Sequence, residues 1–248
     1  MSTSIRLCQL NIEESKHLEL VVPFLERERF DVVCIQELVE RDISRLEAAI
    51  GGKCFFVPMC LQASVAQGVG IFSKLPVTKT VAQRYGGWAG EPLNEWRHTE
   101  DRKAQHDLLQ FSLVVCELQK DGEVFRIATT HFPVTNHGQV TDFQREDMQT
   151  LLGLLAAQGE LVFVGDLNAP RGGEIFELLA ARYTDNIPLR YKTSIDITMH
   201  RNGKTHSHEL ADKMVDGMFS TPTYHVYDVE MRSGLSDHCA LVARVSKG

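Results

Sequence analysis

Residues 5–37 and 125–168 read as one unit written twice: an apolar strand, a helix, then a second apolar strand. Each first strand ends in a polar residue, Asn11 or His131. The second strands end on Glu37 in one unit and on Asp166 and Asn168 in the other. A helix between strands must bury its apolar face on them, and packed sheets with helices outside are a standard layered solution. Two such units imply two sheets packed face to face, sharing a site along one edge.

The rest of the chain fits that frame. The first helix falls over 15–29, with Leu18, Val21, Val22 and Leu25 on one face. Pro23 removes a backbone donor there, so the helix either kinks or begins near it. A strand at 31–36 leads to a short helix over 39–50, ended by Gly51-Gly52. Strands follow at 53–59, 66–73 and 77–84, with Lys74-Leu75-Pro76 as a turn. Residues 86–105 show no period, and long loops in compact domains are often functional. Strands resume at 107–117 and 124–130. Thr141-Asp142-Phe143-Gln144 has the form of a capping box. Met148, Leu151, Leu152 and Leu155 then give the apolar stripe of a packed helix. A strand at 161–164, a helix at 173–181 and strands near 215–219, 223–231 and 239–245 complete the pattern. No linker or low-complexity stretch interrupts it, so 1–248 reads as one domain.

Composition sets outer limits. With 43% hydrophobic and 24% charged residues the chain is that of a folded globular protein. No apolar run approaches the roughly 20 residues that span a bilayer, and the N-terminus carries no secretory pattern. Six cysteines lie mostly inside apolar runs and form no CxxC pair, which reads as reduced, buried thiols and a cytoplasmic setting. The net charge of −7 counts against tight, nonspecific binding of nucleic acid, which needs a basic face.

The residues with chemistry stand at strand ends. They are Asn11, Glu37, His131, Asp166 with Asn168, Asp216 in Met214-Val215-Asp216-Gly217, and Asp237 with His238 in Gly234-Leu235-Ser236-Asp237-His238. Any one of them is explained as a turn or cap former. Their order is more specific: Asn, Gln-Glu, Thr-His, Gly-Asp-x-Asn, Asp, Ser-Asp-His. That series resembles the endonuclease/exonuclease/phosphatase superfamily, and residues 68–76 are similar to its strand and turn after the Glu motif. The resemblance runs from residue 5 to about 245.

The resemblance implies the deoxyribonuclease-I-like fold: α/β, two packed and mostly antiparallel sheets flanked by helices in four layers. It implies a metal-dependent phosphoesterase, most naturally a phosphodiesterase of nuclease type. Hard cations such as Mg²⁺ or Mn²⁺ take carboxylate oxygens, which assigns Glu37 first and Asp237 second as metal ligands. By the same resemblance Asp166 orients or deprotonates the attacking water, and Asn168 donates to a phosphate oxygen. A period of two in an extended segment would put those two side chains on one face. His238 donates to developing charge, and Asp216 fixes its tautomer. His131 holds another phosphate oxygen, and Asn11 supports the metal or Asp166. The choice of base between Asp166 and His238, and of one metal or two, stays open. Many members of the superfamily carry a further Arg or Tyr against the phosphate, for which Arg102 and His106 are the candidates, each equally readable as a solvated surface group.

Other features carry less. Met199 to His208 holds three histidines, His200, His206 and His208, at spacings that match no structural zinc site and read as an exposed loop. Trp88 and Trp96 either stack on a base or sugar or tuck the long loop onto the body. Arg171-Gly172-Gly173 either borders the substrate or eases entry into the next helix. The same fold also serves small-molecule and lipid-headgroup phosphoesterases and non-catalytic binding proteins. The presence of all the motif residues argues against a lost activity. Scatter of these side chains over the surface would instead indicate an unrelated α/β domain.

Overall fold

The computed structural model describes residues 3–248. Strands β1 (Ser4–Asn11) and β2 (Val32–Val39) pair in parallel, joined by helix α1 (Leu18–Glu28). After a 3₁₀ turn at Glu40–Asp42 come α2 (Ile43–Ile50), β3 (Lys53–Gln62), β4 (Val65–Ser73) and β5 (Val77–Gly87). The short α3 (Arg102–His106) precedes β6 (Gln110–Lys120) and β7 (Glu123–His131). Helix α4 (Asp142–Gln158) leads to β8 (Val162–Asp166), which lies parallel to β7. The chain ends with α5 (Glu174–Ala180), β9 (Thr184–Asp185), α6 (Ser207–Leu210), β10 (Asp216–Ser220), β11 (Tyr224–Arg232) and β12 (Ala240–Lys247).

The twelve strands form two six-stranded sheets, ordered β11-β12-β1-β2-β4-β3 and β5-β6-β7-β8-β10-β9. The two orders are the same pattern: an antiparallel pair, the parallel pair, then a second antiparallel pair. The repeat legible in the two strand–helix–strand units thus extends to whole sheets. Alternation along the strands builds the layers. Leu7, Val32 and Cys34 face the space between the sheets, while Cys8, Leu10, Val33 and Ile35 face α1 and α2. On the other side Met148, Leu151 and Leu155 of α4 and Phe176 of α5 cover the second sheet. Central strands buried on both faces read as continuous apolar runs. All six cysteines are free thiols, five of them buried. Among the described residues no helix is long and apolar enough to cross a membrane.

Several local expectations change. Helix α1 begins at Leu18 and runs through Pro23, which lies exposed on its solvent face where water can satisfy the orphaned carbonyl. The second helix is shorter than 39–50, because β2 continues to Val39. Residues 102–106 of the supposed loop are helical, capped by Asp101, whose carboxylate accepts from the Lys103 and Ala104 amides. The capping box of α4 is half made. Thr141 Oγ1 accepts from the Gln144 amide at 3.4 Å, but the Gln144 side chain donates to Pro133 O instead of turning back.

Candidate active site

The parallel pairs set the site, because their strands end together. Asn11 lies opposite Gln36 in β1–β2, and His131 opposite Asp166 in β7–β8. Asp216 joins from the start of β10, not from a strand end; antiparallel pairing puts it beside Asp166. Glu37 sits where β2 slips register against β4, between Ile35 and Leu38. Its φ of 55° is left-handed, a costly conformation for a residue with a side chain that bulges use to re-aim one. Asn168 also has a left-handed φ, 47°. It therefore reaches the site through a turn, and the extended-segment reading of Asp166 and Asn168 fails. In that turn Asp166 Oδ1 accepts from the Asn168 amide at 2.8 Å, and Asn168 Nδ2 donates to Phe132 O at 2.9 Å. Gly165 is required just before it: its φ is +153°, and a Cβ there would lie 2.3 Å from Thr130 O.

All eight residues picked from the sequence converge. Asn11 Nδ2 donates to Glu37 Oε1 and to Asp166 Oδ2, each at 3.0 Å, joining the two sheets. Nε2 of His131 and Nε2 of His238 both lie 3.6 Å from the same Asp166 oxygen. His238 Nδ1 meets Asp216 Oδ2 at 2.7 Å. Ser236 Oγ donates to Asp237 Oδ1 at 3.1 Å. Backbone bonds from Asp196 to Asp237 O and from Cys239 to Ser194 O clamp the Asp237–His238 segment. Ser194 Oγ accepts from the amides of both Val215 and Asp216 at 3.1 Å, tying the same clamp to β10.

Gln9, and Gln36 of the Gln-Glu motif, neither of them given a role from the sequence, complete the network. Gln9 and Gln36 are fully buried. Gln9 Nε2 donates to Asp216 Oδ1 at 2.7 Å and to Gln36 Oε1 at 2.8 Å, and Gln36 Nε2 donates to Thr129 Oγ1 at 2.9 Å. Their signal was available: a Gln inside an apolar strand needs an internal partner.

Charge follows from this wiring. Burial works against a His238 cation, but the carboxylates of Asp216 and Asp166 overcome it and hold His238 well above the ordinary imidazole range. Burial pushes the Glu37 carboxyl up; His131 and Asn11 oppose the rise and Asp237 adds to it. Asp166, Asp216 and His238 present ligand atoms within 4.8 Å of one another and so form a group able to hold a metal. Asp216, however, spends one oxygen on His238 and the other on Gln9. Glu37 and Asp237 each have one carboxylate oxygen in these contacts, leaving the other for a cation. Two carboxylates in one cleft, with Asp237 adding to the rise at Glu37, fit a hard divalent ion.

The site opens into a cleft of about 520 Å³ walled by three loops. Glu13, Glu14 and Lys16 come from the first, Trp96 from the long loop before α3 with Arg102 at that helix's start, and His200 and Arg201 from the third. Chain folding and site chemistry together match one group of proteins. The family model described as Endonuclease/Exonuclease/phosphatase family matches residues 8–238. The chain belongs to this family.

Solved structures agree at the level of fold. An endonuclease/exonuclease/phosphatase from Bacteroides vulgatus superposes with a TM-score of 0.74 at 15% identity, covering 99% of this chain and 100% of that one. A mannosyl-6-phosphatase from Bacteroides thetaiotaomicron gives 0.69 at 10% identity, with 97% and 99% covered. The human Nocturnin catalytic domain, solved with bound sulfate, gives 0.67 at 16% identity, with 99% and 94% covered. No curated protein matches the chain by sequence.

Within this family member the weaker candidates separate. Arg102 lines the cleft, its guanidinium held by Asn136 Oδ1 at 2.8 Å and Gln105 Oε1 at 2.6 Å. His106 is instead a buried structural residue, paired with Asp147 at 2.8 Å and Asp107 at 3.0 Å. Arg171 binds Asp185 at 2.7 Å and lies over Phe176, and it is not among the residues that line the cleft. His206 and His208 are exposed, whereas His200 reaches the cleft.

Proposed function

We propose that this chain is a divalent-metal-dependent phosphoester hydrolase acting on a phosphodiester. The observation that carries the reading is Asn11, which bridges Glu37 and Asp166 while two histidines aim at the same Asp166 oxygen. Glu37 and Asp237 would hold Mg²⁺ or Mn²⁺, which when bound would supply charge neutralisation at the phosphoryl group and a more acidic water.

The chain's own groups divide the remaining work. Asp166, fixed by Asn11 and the Asn168 amide, takes the proton from the attacking water. His238 is held as a cation and so serves as a donor to developing negative charge, not as the base. Asp216, itself oriented by Gln9, keeps that imidazolium in place. Asn168 spends one N–H on Phe132 O and offers the other to a phosphoryl oxygen. His131 faces the same oxygens. Arg102 has neutral amide oxygens as its partners and is poised to hold an anion.

Cleft size and charge favour a compact substrate over a duplex. A volume of about 520 Å³ lies within the range of small-molecule sites. Five carboxylates line it against Lys16, Arg102 and Arg201, too little positive charge for a duplex track. Free thiols throughout fit a reducing, cytoplasmic setting. A single small site also suits a phosphomonoester, which is the second reading.

The test is hydrolysis of bis(p-nitrophenyl) phosphate beside p-nitrophenyl phosphate, with Mg²⁺, Mn²⁺ or EDTA. Metal-dependent cleavage of the diester, lost in Asp166→Ala, is expected. Cleavage of the monoester alone selects the second reading. No turnover of either, nor of nucleotide or sugar phosphoesters, rejects both.

A further inference from the structure

We propose that Trp96 is the floor of a stacking subsite for a planar heteroaromatic ring, so that the substrate is a phosphoester of a nucleoside. The inference rests on the phosphoesterase reading for the word substrate, but the ring site stands on its own observations.

The two tryptophans of the chain behave differently. Trp88 is folded onto its own loop. Its Nε1 donates to Pro92 O at 3.2 Å, and Gly90 lies so close that a Cβ there would be 2.5 Å from Cζ2 of the ring. It takes no part in the cleft lining. Trp96 does line the cleft, and its side chain makes no hydrogen bond among the described residues. The residue is 41% exposed. A large aromatic left open among charged residues does nothing for the core, and covering it with a ring would remove apolar surface from water.

Its backbone is rigidly held. The Trp96 amide donates to Leu61 O at 2.7 Å, and the Leu61 amide donates to Asn94 O at 2.8 Å, so the loop is zipped onto the end of β3. Glu95 Oε1 accepts from the Ser64 amide at 3.0 Å, and Asn94 Nδ2 donates to Leu108 O at 3.3 Å. A platform fixed in this way loses little freedom when a ring lands on it.

Neighbouring groups narrow the ligand. The His98 imidazole stacks nearly parallel to the indole, 13° between planes with centroids 6.4 Å apart, so planar rings already pack against one another at this rim. Such a surface suits a nucleobase, whose π-face stacks irrespective of its hydrogen-bonding edge. Glu13 at this rim is committed to Lys16 and His17 at 2.6 and 2.9 Å, whereas Glu14 beside it has no such partner among the described residues, so a saccharide is the competitor that the test separates. Arg102, at the start of α3 and on the same cleft wall as Trp96, supplies an anion partner for the phosphate of the same molecule.

Because there are only two tryptophans, Trp88→Phe leaves Trp96 as the sole indole reporter. Its emission is titrated in the full chain, with Mg²⁺, against adenosine 5′-monophosphate, ribose 5-phosphate, glucose 6-phosphate and inorganic phosphate. The expected result is saturable quenching by the nucleotide alone. Calorimetry with Trp96→Ala should show nucleotide affinity down by about tenfold or more, with inorganic phosphate unchanged, and Trp96→Phe should recover most of the loss. Equal quenching by ribose 5-phosphate, quenching by glucose 6-phosphate in its place, or unchanged nucleotide affinity in Trp96→Ala would overturn the proposal. The readout is binding, so it separates from the reaction. Nucleotide-specific quenching without hydrolysis of any ester sinks the phosphoesterase reading alone, and hydrolysis without quenching sinks the ring site alone.

Discussion

Replacing Asp147 by Leu should destabilise the protein in a pH-dependent way. His106 and Asp147 form a 2.8 Å pair in which each side chain is 8% exposed, and the imidazole is packed against the rings of Phe111 and Phe143. Burial works against the His106 cation, but its hydrogen bonds to Asp147 and Asp107 win and hold it above the ordinary imidazole value. Burial pushes the Asp147 carboxyl up as well, opposed by His106, so a proton stays within the pair. The sign follows from the histidine. Stability from a raised imidazole is fully present below its unfolded value and is lost as pH rises through the folded value. Breaking one partner of a buried pair costs about 3–5 kcal/mol, and that full cost applies where His106 must be charged. At about pH 5.5 the loss should therefore be near 3 kcal/mol, a fall in Tm of roughly 6–12 °C for a chain of this size. As pH rises through the raised His106 value toward about 8.5, where an ordinary imidazole is neutral, the loss should become smaller, tending toward the ~1 kcal/mol of a single hydrogen bond. Urea unfolding at the two pH values measures both. Gly86→Ala provides an independent route to the same loss, because its Cβ would lie 2.2 Å from Asp147 Oδ2. A loss equal at both pH values, or larger at the alkaline one, would refute the charged-pair account.

Three further outcomes are expected. Asn11→Asp replaces the donor to two carboxylates with a third carboxylate, and kcat should fall about 100-fold or more, since each lost charge-assisted bond is worth about 1.5–3 kcal/mol; near-normal turnover would remove Asn11 from the account. Asp216→Asn takes away the first of the charges that raise His238, so the alkaline limb of the pH–rate profile should move to lower pH, and an unmoved limb would show that another group titrates there. Gly165→Ala should cost about 1–3 kcal/mol in urea unfolding and lower kcat by more than its stability loss implies, because Asp166 is the next residue; wild-type kcat would contradict the strained-turn reading.

Much of this arrangement was legible before any coordinates. The two sheets followed from the repeated strand–helix–strand unit and from the family resemblance, and the candidate site residues followed from the order of that family's motifs, since each residue alone reads as a turn or cap former. What escaped was what tertiary contacts decide. The bulge that turns Glu37 into the cleft leaves no mark on its own apolar neighbours, yet the pairing register demands it. Asn168 lies two residues past Asp166 and looks extended, but the Asx turn overrides that period. Asp216 is grouped with the strand ends, although the strand expected near 215–219 begins there; what the sequence does not reveal is the antiparallel pairing that sets this strand start opposite Asp166. The two tryptophans are equivalent in sequence, and only the zipping of Asn94–Trp96 onto Leu61 separates them. His106 was a phosphate candidate because an isolated His carries no sign of a buried Asp about 40 positions away on another helix.

The central claim is that Glu37, with Asp237, holds the ion that Asp166 chemistry requires. The most direct measurement is the Mg²⁺ dependence of diester turnover in wild type and Glu37→Gln, with Mn²⁺ affinity measured on both by calorimetry. The account predicts no turnover in EDTA for wild type, and for Glu37→Gln a weaker Mn²⁺ affinity together with a rate that extra Mg²⁺ only partly restores. Turnover that persists in EDTA, or a Glu37→Gln variant with wild-type metal affinity and rate, would contradict it.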